Sequence, residues 1–167
     1  CRNPWNVDRT SGGSSGVAGA SIVAGLTSLA TGGDGGGSIR IPASFNGIYG
    51  IKPTQGRVSS FSGVPGSPLA NHTSQQGPLT RTVQDAALLL QVMAGYDSRD
   101  PGSLRSSVPN FLESVTRGVS GLKIGWSPDY GYAAVDNEVL TITERAANVF
   151  TELGCTVIES DIKLEGA

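Results

Sequence analysis

Apolar positions recur at helical spacing in three stretches of this chain, and between them lie short apolar runs bounded by glycine, a pattern that predicts helices alternating with strands. The clearest helix covers residues 83–94. There Val83, Ala86, Ala87, Leu90, Met93 and Ala94 form one apolar face, Thr82 is placed to cap the start and Gly95 to stop the end. A second follows Asp136. Val139, Ile142, Ala146, Val149, Phe150 and Leu153 make its apolar stripe, Glu144, Arg145, Asn148 and Glu152 its polar one, and Gly154 ends it. The third, residues 16–27, opens behind Ser14 or Ser15 and sets Ala18, Ile22, Gly25 and Leu29 on one side with small residues on the others, which permits close packing against backbone.

Residues 29–32 read as a short central strand ended by the glycines that follow, residues 38–45 as a short helix or helical turn, and residues 48–52 as a strand stopped by Pro53. Residues 122–126 form another strand before a loop at 127–132, and residues 155–158 a last one that buries Cys155. Residues 57–76 are rich in Ser, Gly, Pro and Asn, contain Pro65, Pro68 and His72, and hold no period; they read as an ordered surface loop of the kind that often lines a site. Residues 97–109 form a polar connection broken at Pro101-Gly102. The succession of strand, loop, helix and strand implies α/β layering with right-handed crossovers.

The 167 residues suffice for one domain of ordinary size. Twelve Lys and Arg against fourteen Asp and Glu give a net charge of −2 without long blocks of either sign, so electrostatics offers no support for nucleic-acid binding. Two cysteines at opposite ends make no disulfide framework, and the expected setting is reducing and cytoplasmic. One histidine and two cysteines without ligand spacing predict no metal, and no cofactor is expected. Residues 10–33 carry no charge, but their most apolar part, residues 17–30, is too short for a bilayer and includes Gly19, Ser21, Gly25, Thr27 and Ser28, so it reads as a buried helix rather than a membrane span. No targeting peptide is visible. Cys1 stands directly before Arg2-Asn3-Pro4-Trp5 with no initiator methionine, which suggests part of a larger protein.

The chemistry lies in Ser11-Gly12-Gly13-Ser14-Ser15-Gly16 and in Gly35-Gly36-Gly37-Ser38-Ile39-Arg40. Ten of the twenty-six residues from Gly12 to Gly37 are glycine, a density that raises the entropy cost of folding and therefore calls for a reason. Backbone N–H groups gathered around a small negative group supply one. A serine hydroxyl needs a base to attack a carbonyl. His72, the only histidine, lies in a polar loop with nothing to fix its ring, and Ser38 lacks the Gly-x-Ser-x-Gly elbow, so a Ser-His-Asp mechanism is disfavoured. A phosphate loop needs Gly-Lys followed by Ser or Thr, and no lysine precedes Lys52. The Gly33-x-Gly35-x-Gly37 spacing lacks the helix and acidic residue of a dinucleotide site. Taken alone, Ser14 and Ser15 are most simply helix caps.

In order along the chain, Gly12-Gly13-Ser14-Ser15-Gly16, residues 32–43 from Gly32-Gly33-Asp34 to Ile41-Pro42-Ala43, Gly47-Ile48-Tyr49-Gly50-Ile51-Lys52-Pro53-Thr54, Gly56-Arg57-Val58-Ser59 and residues 77–87 resemble the amidase signature family. The resemblance is strong over residues 3–95 and weaker beyond. It implies a mixed β-sheet core covered by helices on both faces, with the chain as the central portion of a single amidase domain. It further implies a serine amidohydrolase acting on a small-molecule amide through an acyl-enzyme. Ser38 is then the nucleophile, and Ser14, after a cis Gly13–Ser14 peptide, relays the proton to a neutral lysine. The amides around Gly35, Gly36, Gly37 and Ser38 become the oxyanion hole. Gly13, Asp34 and Arg40 become supporting residues, Asp34 ordering the glycine turn and Arg40 orienting backbone or a carboxylate. For Asp34 and Arg40 an ordinary structural ion pair is nearly as good a reading.

In this family the lysine comes from a segment upstream of the first serine motif, so Lys52 is taken as structural and residues 1–167 alone are expected to be inactive. Val17 stands where a small residue usually follows, Gly33 and Gly35 replace hydroxyl residues beside Asp34, and Asn46 stands where many members carry cysteine. Two variants stay open. One is a component of a tRNA amidotransferase that supplies ammonia to aminoacyl-tRNA, against which Ile41 in place of glutamine tilts the reading; the other is a non-catalytic module on the same scaffold. A homodimer is compatible with either. The pocket walls are expected from the loop Phe61-Ser62-Gly63-Val64-Pro65.

Overall fold

The computed structural model describes residues 1–61, 63 and 73–164. Its contacts divide it into two compact units, Cys1–Thr116 and Arg117–Ala167. In the first unit, β1 (Arg2–Asn3) and β2 (Asn6–Thr10) form an antiparallel hairpin whose turn is closed by the Trp5 amide donating to Asn3 Oδ1 at 2.9 Å. Then follow α1 (Gly16–Val23), β3 (Leu29–Asp34), α2 (Arg40–Asn46), β4 (Tyr49–Gly50), β5 (Gln75–Thr80), α3 (Val83–Met93) and the single turn α4 (Phe111–Ser114). Strands β3, β5 and β4 pair antiparallel in that spatial order.

The core of this unit is small. Ile39, Ala43 and Leu79 are buried together, with Ala18, Ala30 and Ile48 packed against them. Glycine within the sheet makes this approach possible: a Cβ on Gly77 would overlap the Ile51 carbonyl oxygen, and one on Gly50 would lie 2.8 Å from the Ala43 side chain.

The mixed α/β class holds, with its strands divided among three sheets. Several local expectations need correction. The strand expected at residues 29–32 as central extends to Asp34 and lies at an edge, while the central strand is β5, whose Gln75 and Gln76 the composition assigns to the loop. Gln-Gln-Gly-Pro shows no alternation and includes a strand-breaking residue; only pairing on the flank of β3 makes it extended. The strand at residues 48–52 shrinks to β4, although the Ile51 amide still donates to the Pro78 carbonyl at 3.1 Å. Helix α1 stops four residues early, because Gly25 turns to φ +72 and the Leu26 amide reaches back to the Ser21 carbonyl. Helix α2 starts at Arg40 rather than at Ser38. Helix α3 forms as expected, Thr82 Oγ1 accepting from the Asp85 amide at 3.1 Å.

In the second unit, β6 (Lys123–Trp126) and β7 (Thr156–Glu159) are parallel and joined through α5 (Asn137–Glu152), a βαβ unit. Asp136 Oδ1 caps α5 by accepting from the Glu138 amide at 2.8 Å, and Gly154 takes φ +84 after its end. Of the α5 residues only Ala147 is buried, whereas Val139, Ile142 and Val149 of the expected apolar stripe are exposed. Cys155 is buried, yet it lies one residue ahead of β7, and that strand is mostly exposed rather than a core strand. Among the described residues no helix is long and apolar enough to cross a membrane.

Candidate active site

Strand β3 delivers Asp34 to the start of the second glycine turn, where its side chain is wholly buried. Its Oδ1 accepts from the Gly37 amide at 2.7 Å and from Arg40 Nη2 at 2.9 Å. Its Oδ2 accepts from Arg40 Nε at 2.8 Å, from the Arg40 amide at 3.2 Å and from the Ile39 amide at 3.3 Å. Five donors converge on one carboxylate. The Arg40 guanidinium holds the Asp34 carboxyl well below the usual carboxylate range, the three amides add to this, and burial opposes it. The same pair raises Arg40, whose side chain is otherwise largely exposed.

This carboxylate folds residues 34–40 around itself. Gly37 takes φ +116, where a Cβ would lie 2.7 Å from the Ile41 side chain, so only glycine suits the position. Among the described residues the amides of Gly35, Gly36 and Ser38 take no hydrogen-bond partner, while those of Gly37, Ile39 and Arg40 are occupied by Asp34. Gly35 and Gly36 are exposed and Ser38 is half-buried, ahead of α2.

The first serine segment lies against the same helix. Gly12 takes φ +75, and a Cβ there would be 3.1 Å from the Pro42 Cα. The Gly13–Ser14 peptide is cis. Ser14 is exposed, and Gly13 has open space where a side chain would be. Ser15 occupies the N-cap position of α1, but its side chain makes no capping hydrogen bond, so the simple capping role does not account for it. Instead its hydroxyl lies over β3, 2.6 Å from where a Cβ on Gly32 would be, and its amide donates to the Ser38 carbonyl at 3.3 Å. That bond joins the two serine segments directly.

Of the remaining sequence candidates, Lys52 is half-buried just beyond β4. Phe61 sits beneath the Arg99 guanidinium, 4.5 Å from its ring centre. His72, Ser62, Val64 and Pro65 lie outside the described residues. Asn46, marked in the sequence only as a departure from cysteine, is fully buried in the last turn of α2 and donates to two backbone carbonyls. Nothing local in the sequence singles it out, because its partners are 35 residues away and one helical turn back.

The family model described as Amidase matches residues 1–165. The glutamyl-tRNA(Gln) amidotransferase A-subunit of Marinomonas sp. (strain MWYL1) is 44% identical over 158 residues, 95% of this chain and 32% of that protein. Among solved structures, a bacterial aryl acylamidase of the amidase signature family is similar at a TM-score of 0.88 and 45% identity, covering 96% of this chain and 32% of that one. The corresponding amidotransferase A-subunit of Thermotoga maritima is similar at 0.84 and 37% identity, covering 95% and 34%. The chain thus spans about a third of the length of the relatives it matches. With residues 1–165 inside the family match, and with a solved amidase signature enzyme similar over nearly the whole chain, the chain belongs to the amidase signature family.

Proposed function

We propose that this protein cleaves the carbon–nitrogen bond of a carboxamide through a serine acyl-enzyme. Ser38 Oγ attacks the carbonyl carbon while its proton moves to the Ser14 hydroxyl, which passes its own proton onward. A neutral lysine completes this relay in the family resemblance, and none of residues 1–167 is assigned to it. The carbonyl oxygen gains negative charge and is held by amides drawn from Gly35, Gly36 and Ser38; removing one such donor typically costs about 3 kcal/mol of transition-state stabilisation. Collapse of the intermediate returns a proton to the leaving nitrogen, and water then releases the acid and restores Ser38. The observation that carries this reading is the Ser15 amide bound to the Ser38 carbonyl, which keeps the two serine segments side by side. Gly37, whose amide is held by Asp34, serves by shaping the turn; the unpartnered amides beside it are the better donors to substrate.

A fluorophosphonate tests the assignment, since attack by a serine oxygen on phosphorus expels fluoride and leaves a stable mass tag. In the full-length protein the tag is expected on Ser38, with Ser38→Ala abolishing it and Ser14→Ala slowing it at least a hundredfold. Unchanged labelling of Ser38→Ala would defeat the assignment.

The relatives favour two substrate classes equally by identity, since one belongs to an amidotransferase and another is an aryl acylamidase. With Ile41 rather than glutamine between Arg40 and Pro42 in the first turn of α2, we favour the stand-alone amidase. Release of nitroaniline from p-nitroacetanilide by the protein on its own is the expected result; ammonia release from glutamine only in the presence of partner proteins and tRNA would instead establish the transamidation role, with cytoplasmic tRNA as its implied setting.

A further inference from the structure

Asn46 is a buried amide that uses its donors and leaves its acceptor unpaired. Its Nδ2 donates at 2.8 Å to the Ser11 carbonyl and at 2.8 Å to the Pro42 carbonyl, one turn back in α2. Its Oδ1 is buried without a partner. Turning the amide over would press Oδ1 against two carbonyl oxygens, so the two acceptors fix its orientation. A buried orphan acceptor is destabilising, because it gives up its hydrogen bond to water and gains none in return. An apolar residue of similar volume would avoid that cost, and its presence therefore points to the work of the two donors.

That work is done at one end of the first serine segment. Ser11 is buried, and Gly12, Gly13 and Ser14 follow it without another side-chain tie to α2 among the described residues. At its other end the segment is held by Ser15 on the Ser38 carbonyl. Helix α2 thus touches both serine segments, beginning just after Ser38 and ending at the amide that holds Ser11. Its last turn is braced in turn: the Phe45 carbonyl accepts from Asn3 Nδ2 at 2.7 Å and the Asn46 carbonyl from Trp5 Nε1 at 2.8 Å. On α1, Gly19 leaves room for the amide, since a Cβ there would lie 2.9 Å from Asn46 Nδ2.

We infer that Asn46 is a positioning residue, setting Ser14 against Ser38 through the Ser11 carbonyl. This rests on the proposed roles of those serines. In the full-length protein, Asn46→Ala is expected to lower the maximal rate of fluorophosphonate labelling at Ser38 at least tenfold, with the inhibitor's half-saturating concentration within threefold of the parent and the far-ultraviolet circular dichroism unchanged. A maximal rate within twofold of the parent, or a loss matched by the lost folded fraction, overturns the inference. Should Asn46→Ala fail to fold, Gly19→Ala decides: its methyl crowds the Asn46 amide while favouring the helix. Its labelling rate is expected to fall at least threefold beyond any loss of folded fraction, and a rate that is parental per folded molecule overturns the inference. A parent not labelled at Ser38 removes the serine assignment itself, whereas a labelled parent with unaltered variants removes only the role of Asn46.

Discussion

Asp34 and Arg40 decide most of the local chemistry at the scale of single residues. Asp34→Asn keeps the shape but replaces one acceptor oxygen by a donor facing the Gly37 amide or the guanidinium, and is expected to lower stability by about 2 kcal/mol. A urea titration of the full-length protein checks this. The pH dependence follows from the depressed carboxyl. Because Asp34 binds its proton less readily in the folded state, its contribution is complete above the ordinary carboxylate range near pH 4, and it is lost as the pH falls from there through the folded value. The difference in urea midpoint between the parent and Asp34→Asn should therefore be constant from pH 6 to 8 and shrink progressively below about pH 4. A constant difference down to pH 2 would show that Asp34 is not held as an ionised acceptor.

Helices α3 and α5 begin where their capping residues place them, and the β3-β5-β4 sheet packs where glycine lets it. Thr82→Ala removes the acceptor for the Asp85 amide and should destabilise α3 by about 1 kcal/mol, seen as a lower urea midpoint. Gly77→Ala drives a methyl into the Ile51 carbonyl at the centre of the β3-β5-β4 sheet and should cost about 3 kcal/mol. Gly95→Ala meets nothing within 4 Å and should change stability by less than about 0.5 kcal/mol, which makes it the matched control. Helix α3 and both of its ends were legible because Thr82, the apolar face and Gly95 lie within one local window. Strand β5 was not, since Gln75 to Pro78 are extended by their neighbours across the sheet rather than by any pattern of their own.

At the scale of the whole molecule, much apolar surface stays open. In the first unit Val17 is 69% and Leu26 81% exposed, and in the second Val139, Ile142, Val149 and Leu153 leave one side of α5 bare. Isolated exposed apolar residues are ordinary, but a helix whose designated inner face is exposed is not. Residues 1–167 expressed alone are therefore expected to bind 8-anilinonaphthalene-1-sulfonate and to unfold with a van't Hoff enthalpy below the calorimetric one. A single cooperative transition without dye binding would show that these faces tolerate water.

From the residues alone came the α/β class, the caps of the two principal helices, and the pairing of two serine-bearing glycine turns with the amidase signature, because each is written in contiguous positions. The tertiary structure alone decided which strand is central, that five donors meet on Asp34, and that Asn46 reaches the Ser11 carbonyl. Those depend on groups brought together across long stretches of chain, and the free energy of such a meeting is set by burial and by the partners at hand, neither of which any local pattern contains.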